Sequence, residues 1–404
     1  MLCIWKITHT GHHIDAKVGF LLCIILLTSC TSPATPKIQA QKMLVTEEVT
    51  PIASATIQPT RTITSTCTPT VTLEISFTRE KLPPISPDNS AQVEELIHWQ
   101  ERAAINSVAF SPNGESIAWA NDEGWVKLIK LASQLSASSS GEISLSWLAH
   151  PKRINKIAFS PDGTMLATTS DDYTAKLWSA VDGTLLKTFS GYEEGLPALA
   201  FSTDGKWLAV SSYDFKLQLW KATEEGAVRD FSTKKTFVNS LAFSPDSKQL
   251  AASSNNWKES VFSVQIWQVF NGKVVRTLRG FGERVNGLAF SPDGNFLALA
   301  TGDDLTPEQQ RAVRIFDIQS TKETQSFNGH GDVVMQVAYS PVQPLLASAS
   351  LDRSVRIWSL QSGDMLAILN GHNAGVMDIA FCKEGTLLAS ASKDGSVRLW
   401  GVKP

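Results

Sequence analysis

Residues Ile157–Trp178 read IAFSPDGTMLATTSDDYTAKLW. An apolar strand, Ile157-Ala158-Phe159, runs into the turn Ser160-Pro161-Asp162-Gly163. In such a turn Pro presets φ, Asp caps the backbone locally and Gly accepts positive φ. A second apolar run, Met165-Leu166-Ala167, follows, and a third stretch ends on Trp178. The opening phrase returns along the chain. It reads VAFSPNG at Val108–Gly114, LAFSTDG at Leu199–Gly205, LAFSPDS at Leu241–Ser247 and LAFSPDG at Leu288–Gly294. It closes as VAYSPVQ at Val337–Gln343 and IAFCKEG at Ile379–Gly385. The third strands end on Ile129, Trp178, Trp220, Trp267, Phe316, Trp358 and Trp400, with strand-like alternation plain in Ser396-Val397-Arg398-Leu399-Trp400. A fourth strand such as Leu185–Phe189 precedes the next repeat. Four short strands per unit of about 42 residues predict the blade of a propeller.

Spacing tests whether the blades close into a ring. The step from the first-strand aromatic to the Trp position is 19 residues in five repeats (400 − 381). The step from Trp to the next aromatic is 23 at five junctions (381 − 358). The last repeat lacks an outer strand. The four residues after Trp400 plus the 18 from Gln92 to Ala109 make 22, the number that a 23-residue step encloses. The expected fold is therefore all-β: a seven-bladed β-propeller of four-stranded antiparallel blades. Glu94–Trp99 is expected to complete the last blade and remove its open sheet edge.

The repeats resemble the WD-repeat (WD40) family from Gln92 to Pro404. Gly329-His330 and Gly371-His372 are similar to its Gly-His pair, and Trp358-Ser359 and Trp400-Gly401 stand where it often has Trp-Asp. Asp317, after Phe316, is the only Asp at that place. The resemblance implies hydrogen-bonded sets of His, Ser or Thr, Asp and Trp. These would be His150, Asp172 and Trp178 in blade two; His330, Asp352 and Trp358 in blade six; and His372, Asp394 and Trp400 in blade seven. Either alternate hydroxyl, Ser348 or Ser350 in blade six, is open as the strand member. Blade three keeps only Asp214 and Trp220, and blades one, four and five depart further and are expected to be less rigid. The resemblance also implies a non-enzymatic scaffold that binds proteins or peptides on its loop face and at the channel entrance.

Residues 1–29 read as a signal peptide, 30–91 as a linker and 92–404 as the propeller. Val18–Leu27 is VGFLLCIILL, shorter than the roughly 20 apolar residues of a spanning helix, with Lys6 and Lys17 before it. Leu27-Thr28-Ser29-Cys30 resembles the lipobox of bacterial lipoproteins, which implies a lipid on Cys30 and a place in the cell envelope outside the cytoplasmic membrane. An ordinary signal peptide that contains a Cys is the alternative. Thr31–Ala91 has no apolar periodicity, and Thr46–Thr72 is crowded with Thr, Ser and Pro. Such composition reads as a flexible tether.

Net charge is −3 and the basic residues are dispersed, so no nucleic-acid partner is expected. The five Cys form no C-x-x-C pair, so neither a disulfide framework nor a zinc site is expected, and no cofactor or metal is assigned. Cys382 reads as a partly buried small residue. No G-x-S-x-G, P-loop or H-E-x-x-H occurs.

The 19-residue step grows to 24 in blade four (267 − 243) and to 26 in blade five (316 − 290). The insertions are Ser254–Val261, with Trp257, and Gly302–Ala312, with Asp303, Asp304 and Glu308. Both are read as loops on one face, forming a partner-binding surface. Arg153, Tyr213, Arg284 and Lys393 join it as loop-face candidates. The Ser-rich blade-one insertion, Ala132–Gly141, reads as solvated slack on the opposite face. A second functional reading is a small ligand, glycan or cation bound in the channel mouth. Convergent polar residues around a concave pocket would favour it. A hydrolase is the third, and needs a nucleophile within reach of a base.

Overall fold

The computed structural model describes residues 77–78, 82–131, 134–135, 143–222, 227–233, 235–256, 258–303 and 311–403. Cys30, Trp257 and Asp304, the segment read as a signal peptide and most of that read as a linker lie outside these residues.

Seven four-stranded antiparallel sheets form the blades. Blade one is built from Ile105–Phe110, Ser116–Asn121, Trp125–Lys130 and Ile143–Leu148, and the next five repeats each supply their own sheet in the same order. The first strands neighbour one another around the ring, including the last beside the first. Blade seven takes its outer strand from Val93–Gln100, which pairs antiparallel with Ser396–Val402, Val93 opposite Val402 and Gln100 opposite Ser396. Glu95 and Arg398 form an ion pair across that closure. The chain is thus a closed seven-bladed propeller.

The core lies between blades. Alternation puts Val397 and Leu399 of one strand into the cluster shared with blade one, and Trp400 into the cluster shared with blade six. One position of every second strand is alanine: Ala118, Ala167, Ala209, Ala251, Ala298, Ala347 and Ala389, all fully buried. A residue without a side chain beyond Cβ at that place lets adjacent sheets approach. The turn after the first strand is held as its sequence predicts. Ser160 Oγ donates to Asp162 Oδ1 (2.5 Å), which also accepts from Thr164 N (3.0 Å), and Gly163 has φ +74°.

Three details differ from expectation. The packed region begins before Gln92. Leu82 is buried in the cluster of blades seven and one, Ile85 in that of blades six and seven, and Ile85 N donates to Gly385 O (2.9 Å). Residues 82–92 therefore form a strap that crosses blade seven before the closing strand begins. Second, the blade-four insertion is not a loop. It lengthens two strands to Gln249–Asn256 and Val261–Gln268, paired out to Asn256 opposite Val261. Third, part of the blade-one insertion has a partner: Gln134–Leu135 pairs antiparallel with Phe77–Thr78.

Candidate functional site

Antiparallel blades place two kinds of connection on one end of the ring: those entering the first strands, and those joining second to third strands. There the channel opens in a cavity of about 280 Å³. Each first strand contributes the residues just after its apolar start. In five blades a bulge interrupts the register at this place, as between Ile105 and Ser107 or Val376 and Asp378. A bulge turns successive side chains out of strict alternation.

Arg153, Tyr213, Arg284 and Lys393 all line this cavity, beside Lys156. Arg153 Nε donates to Asp122 Oδ1 (2.8 Å), and this bond is the main reason its pKa lies above the ordinary arginine value. With its amide oxygen turned towards the guanidinium, Asn239 accepts from Arg284 Nε (2.9 Å) and Nη2 (3.1 Å). The Tyr213 phenol is raised by burial, opposed by the charges of Arg284 and Arg153. Its ring meets Phe237 at 6.1 Å, and Phe237 meets Phe215 at 4.8 Å, so an aromatic group flanks the mouth on the blade-three side. Asp303 is half-buried and is not among the residues lining the cavity.

Asparagines tie the mouth together. Asn106 Nδ2 reaches Ile154 O (2.9 Å), Asn155 Nδ2 reaches Leu196 O (3.1 Å) and Asn286 Nδ2 reaches Val334 O (3.0 Å), each crossing to the next blade. Below them sits Asp378, 2% exposed. It accepts from Ser107 Oγ (2.6 Å) and Val108 N (3.1 Å) of blade one, Lys156 Nζ (2.8 Å) of blade two and Gln336 Nε2 (3.4 Å) of blade six. Sequence reading missed Asp378. Its signal was the repeat position it shares with Ser107, Lys156 and Gln336, three residues before the aromatic that ends each first strand.

Away from the mouth, three blades carry a complete polar set. His150 Nδ1 pairs with Asp172 (2.8 Å), His150 Nε2 with Thr168 Oγ1 (2.7 Å), and Trp178 Nε1 donates to the same Oγ1 (2.9 Å). His330 pairs with Asp352 (2.7 Å) and Ser348 (2.7 Å), and Trp358 donates to Ser348 (2.8 Å). His372 pairs with Asp394 (3.2 Å) and Ser390 (2.7 Å), and Trp400 donates to Ser390 (2.8 Å). The hydroxyl of blade six is thus Ser348. Ser350 instead donates to Asp332 O (3.0 Å).

The indole can only donate, so the hydroxyl gives its own proton to Nε2, and Nδ1–H faces the carboxylate. Burial lowers all three imidazoles, His372 to about 4, which keeps them neutral near pH 7. Burial pushes the carboxylates up, but their hydrogen bonds outweigh it and hold Asp172 and Asp394 at about 2.

Other blades replace the set. In blade three Tyr192 stands at the histidine position, and its hydroxyl accepts directly from Trp220 Nε1 (2.9 Å). In blade five Phe281 and Phe316 meet edge to face at 5.8 Å, an apolar substitute. In blade one the indole moves to the second strand, where Trp119 lies 5.5 Å from Trp99 and donates to Glu101 (3.3 Å). Cys382, at the turn serine of blade seven, is fully buried and accepts from Leu387 N (3.3 Å).

A closed ring of seven repeat-built blades, pinned by His–Ser/Thr–Trp sets and open to solvent at a polar mouth, defines a repeat propeller. The family model described as "WD domain, G-beta repeat" matches residues 141–179, 183–221, 227–258, 272–306, 321–359 and 363–401. The chain belongs to the WD40 family. The matches leave out the first three strands of blade one, where Ile129 replaces the terminal Trp. No curated protein matches the chain by sequence. WD40 propellers generally bind proteins and generally act as non-catalytic scaffolds.

Proposed function

We propose that this chain is a non-enzymatic interaction scaffold, held outside the cytoplasmic membrane of a bacterium by a lipid on Cys30, that engages a protein or peptide at the channel mouth. The observation that carries the reading is the convergence of Arg153, Tyr213, Arg284 and Lys393 on one cavity of about 280 Å³. Arg and Tyr are the residue types that dominate binding energy at interfaces, and here Arg153 and Arg284 are held by Asp122 and Asn239 of the preceding blades. The apolar start of the chain and Leu27-Thr28-Ser29-Cys30 support the anchor.

The test has two arms. Arg153→Glu and Arg284→Glu should abolish co-purification of a partner that wild type retains from the envelope fraction, with the thermal midpoint unchanged. Retention by both variants would refute a mouth-centred surface. Cys30→Ala should release the protein from membranes and remove acylated mass from its terminus. An unmodified, soluble wild type would refute the anchor.

The concave polar cavity also favours a second reading, a small ligand bound in the mouth. Among the described residues its lining holds the basic side chains Arg153, Lys156, Arg284 and Lys393 and no carboxylate, which favours a neutral or anionic ligand over a cation.

A further inference from the structure

On the end of the ring opposite the mouth, the turns after the first strands nest on one another. Gly163 lies on Pro112 so closely that an added Cβ would come within 3.4 Å, and Gly294 lies on Pro245 at the same distance. Blade six breaks this pattern. Its turn is Ser340-Pro341-Val342-Gln343-Pro344. Val342 replaces the capping Asp, Gln343 replaces the nesting Gly, and Pro344 has no N–H for a cap to bind. The turn is held instead by Gln343 N to Ser340 Oγ (3.3 Å) and Leu345 N to Gln343 O (2.7 Å). Beside it, between blades five and six, opens a groove of about 580 Å³.

The floor is apolar, formed by Phe296, Ile315, Leu360 and the prolines Pro292 and Pro344. One further substitution coincides with it. Six first strands end on Phe (Phe110, Phe159, Phe201, Phe243, Phe290 and Phe381), and blade six alone ends on Tyr339. The Tyr339 hydroxyl is buried and has no hydrogen-bond partner. Burial raises the phenol well above its ordinary value, so the hydroxyl keeps its proton as a donor. A buried, unpaired hydroxyl costs about 1–3 kcal/mol, yet every other blade avoids that cost with Phe. Among the described lining residues the one charge is the carboxylate of Asp293, exposed at the edge.

We propose that this groove is a second docking site, independent of the mouth, for an extended proline-containing segment of a protein partner with a basic residue beside its apolar anchor. A polyproline-type backbone makes no internal hydrogen bonds, so its carbonyls are free to accept from a hydroxyl. Prolines and aliphatic side chains fill an aromatic and proline floor without losing polar contacts. The basic flank answers Asp293, the only charged side chain among the described residues that line the groove.

The probe is Gly-Pro-Pro-Leu-Pro-Arg-amide labelled with fluorescein on its N-terminal amine, titrated by fluorescence polarisation against the intact protein, Tyr339→Phe and Arg284→Glu. Wild type is expected to bind saturably, with exchange protection confined to 291–296 and 339–345. Tyr339→Phe should weaken binding at least about fivefold, the loss of one net hydrogen bond, while raising the thermal midpoint. Arg284→Glu should leave the affinity unchanged, which separates this site from the mouth. Replacing the peptide's Arg by Glu should weaken binding further. Absence of saturation, equal affinity for Tyr339→Phe, or protection at the mouth instead would each overturn the proposal.

Discussion

Tyr192 accepts a hydrogen bond from the indole of Trp220 at 2.9 Å, so a single phenol spans the distance that a histidine and a hydroxyl share in blades two, six and seven. The residue that would carry the strand hydroxyl in blade three is Val210, which has none. Tyr192→Phe should therefore leave the buried Trp220 N–H without an acceptor, at a cost of about 1–3 kcal/mol. The paired change Tyr192→His with Val210→Ser should recover most of it by rebuilding the set found elsewhere. Urea denaturation of the two variants beside wild type measures both. A single variant as stable as wild type would show that the bond contributes nothing.

Ser348 and Ser350 differ by two residues and by role. Ser348→Ala strands both His330 Nε2 and Trp358 Nε1 in a buried site. A loss of about 2–4 kcal/mol is expected, near one desolvation penalty for each orphaned group. Ser350→Ala should cost less, since the groups it leaves behind, Asp332 O and Asp352 N, belong to partly exposed loop residues. Equal losses in a denaturant comparison would contradict the assignment of Ser348 as the bridging hydroxyl.

Acid should unfold the ring in two stages. The imidazole of His372 falls from 6.5 to about 4 on folding, and His150 and His330 fall in the same direction. Between those values the unfolded chain binds the proton and the folded chain does not, so stability declines as pH drops from about 6.5 to 4. Asp172 and Asp394 fall from 3.8 to about 2, and protonating them removes further stability below about pH 4. The thermal midpoint should be flat above pH 7 and slope downward from there. A midpoint unchanged between pH 7 and 4.5 would contradict buried neutral histidines.

The strap gives a sharp truncation boundary. A chain starting at Lys81 should melt within a few degrees of the full-length protein. A chain starting at Gln92 loses buried Leu82 and Ile85, each worth about 2–5 kcal/mol by analogy with core truncations, and should melt distinctly lower. Equal midpoints for the two chains would mean that the strap adds nothing to closure.

The recurrent phrase around Ser160–Gly163 made the blade, the ring count and the closing strand legible, because turn chemistry and alternation are local properties. Arg153, Arg284 and Lys393 were legible as loop-face positions of the repeat, although nothing local said that they meet on one cavity with Tyr213. Three features were hidden for physical reasons. Leu82 and Ile85 are isolated apolar residues among prolines, and two residues make no period. The extended hairpin at Asn255–Phe262 carries polar residues that pair through backbone, so no apolar alternation marks it. Asp378 gathers partners from three other blades, and such a junction exists only once the ring has formed.

The closing strand has a consequence for biogenesis. Glu95 and Arg398 meet across 303 positions of sequence. Each inner blade can assemble as soon as its own repeat has emerged, but Val93–Gln100, made first, must wait for Ser396–Val402, made last. Any chain interrupted before Ser396 therefore presents an extended, unpaired strand to its surroundings. The integrity of the ring in this way depends on two strands from opposite ends of the repeat array meeting, and neither closes it alone.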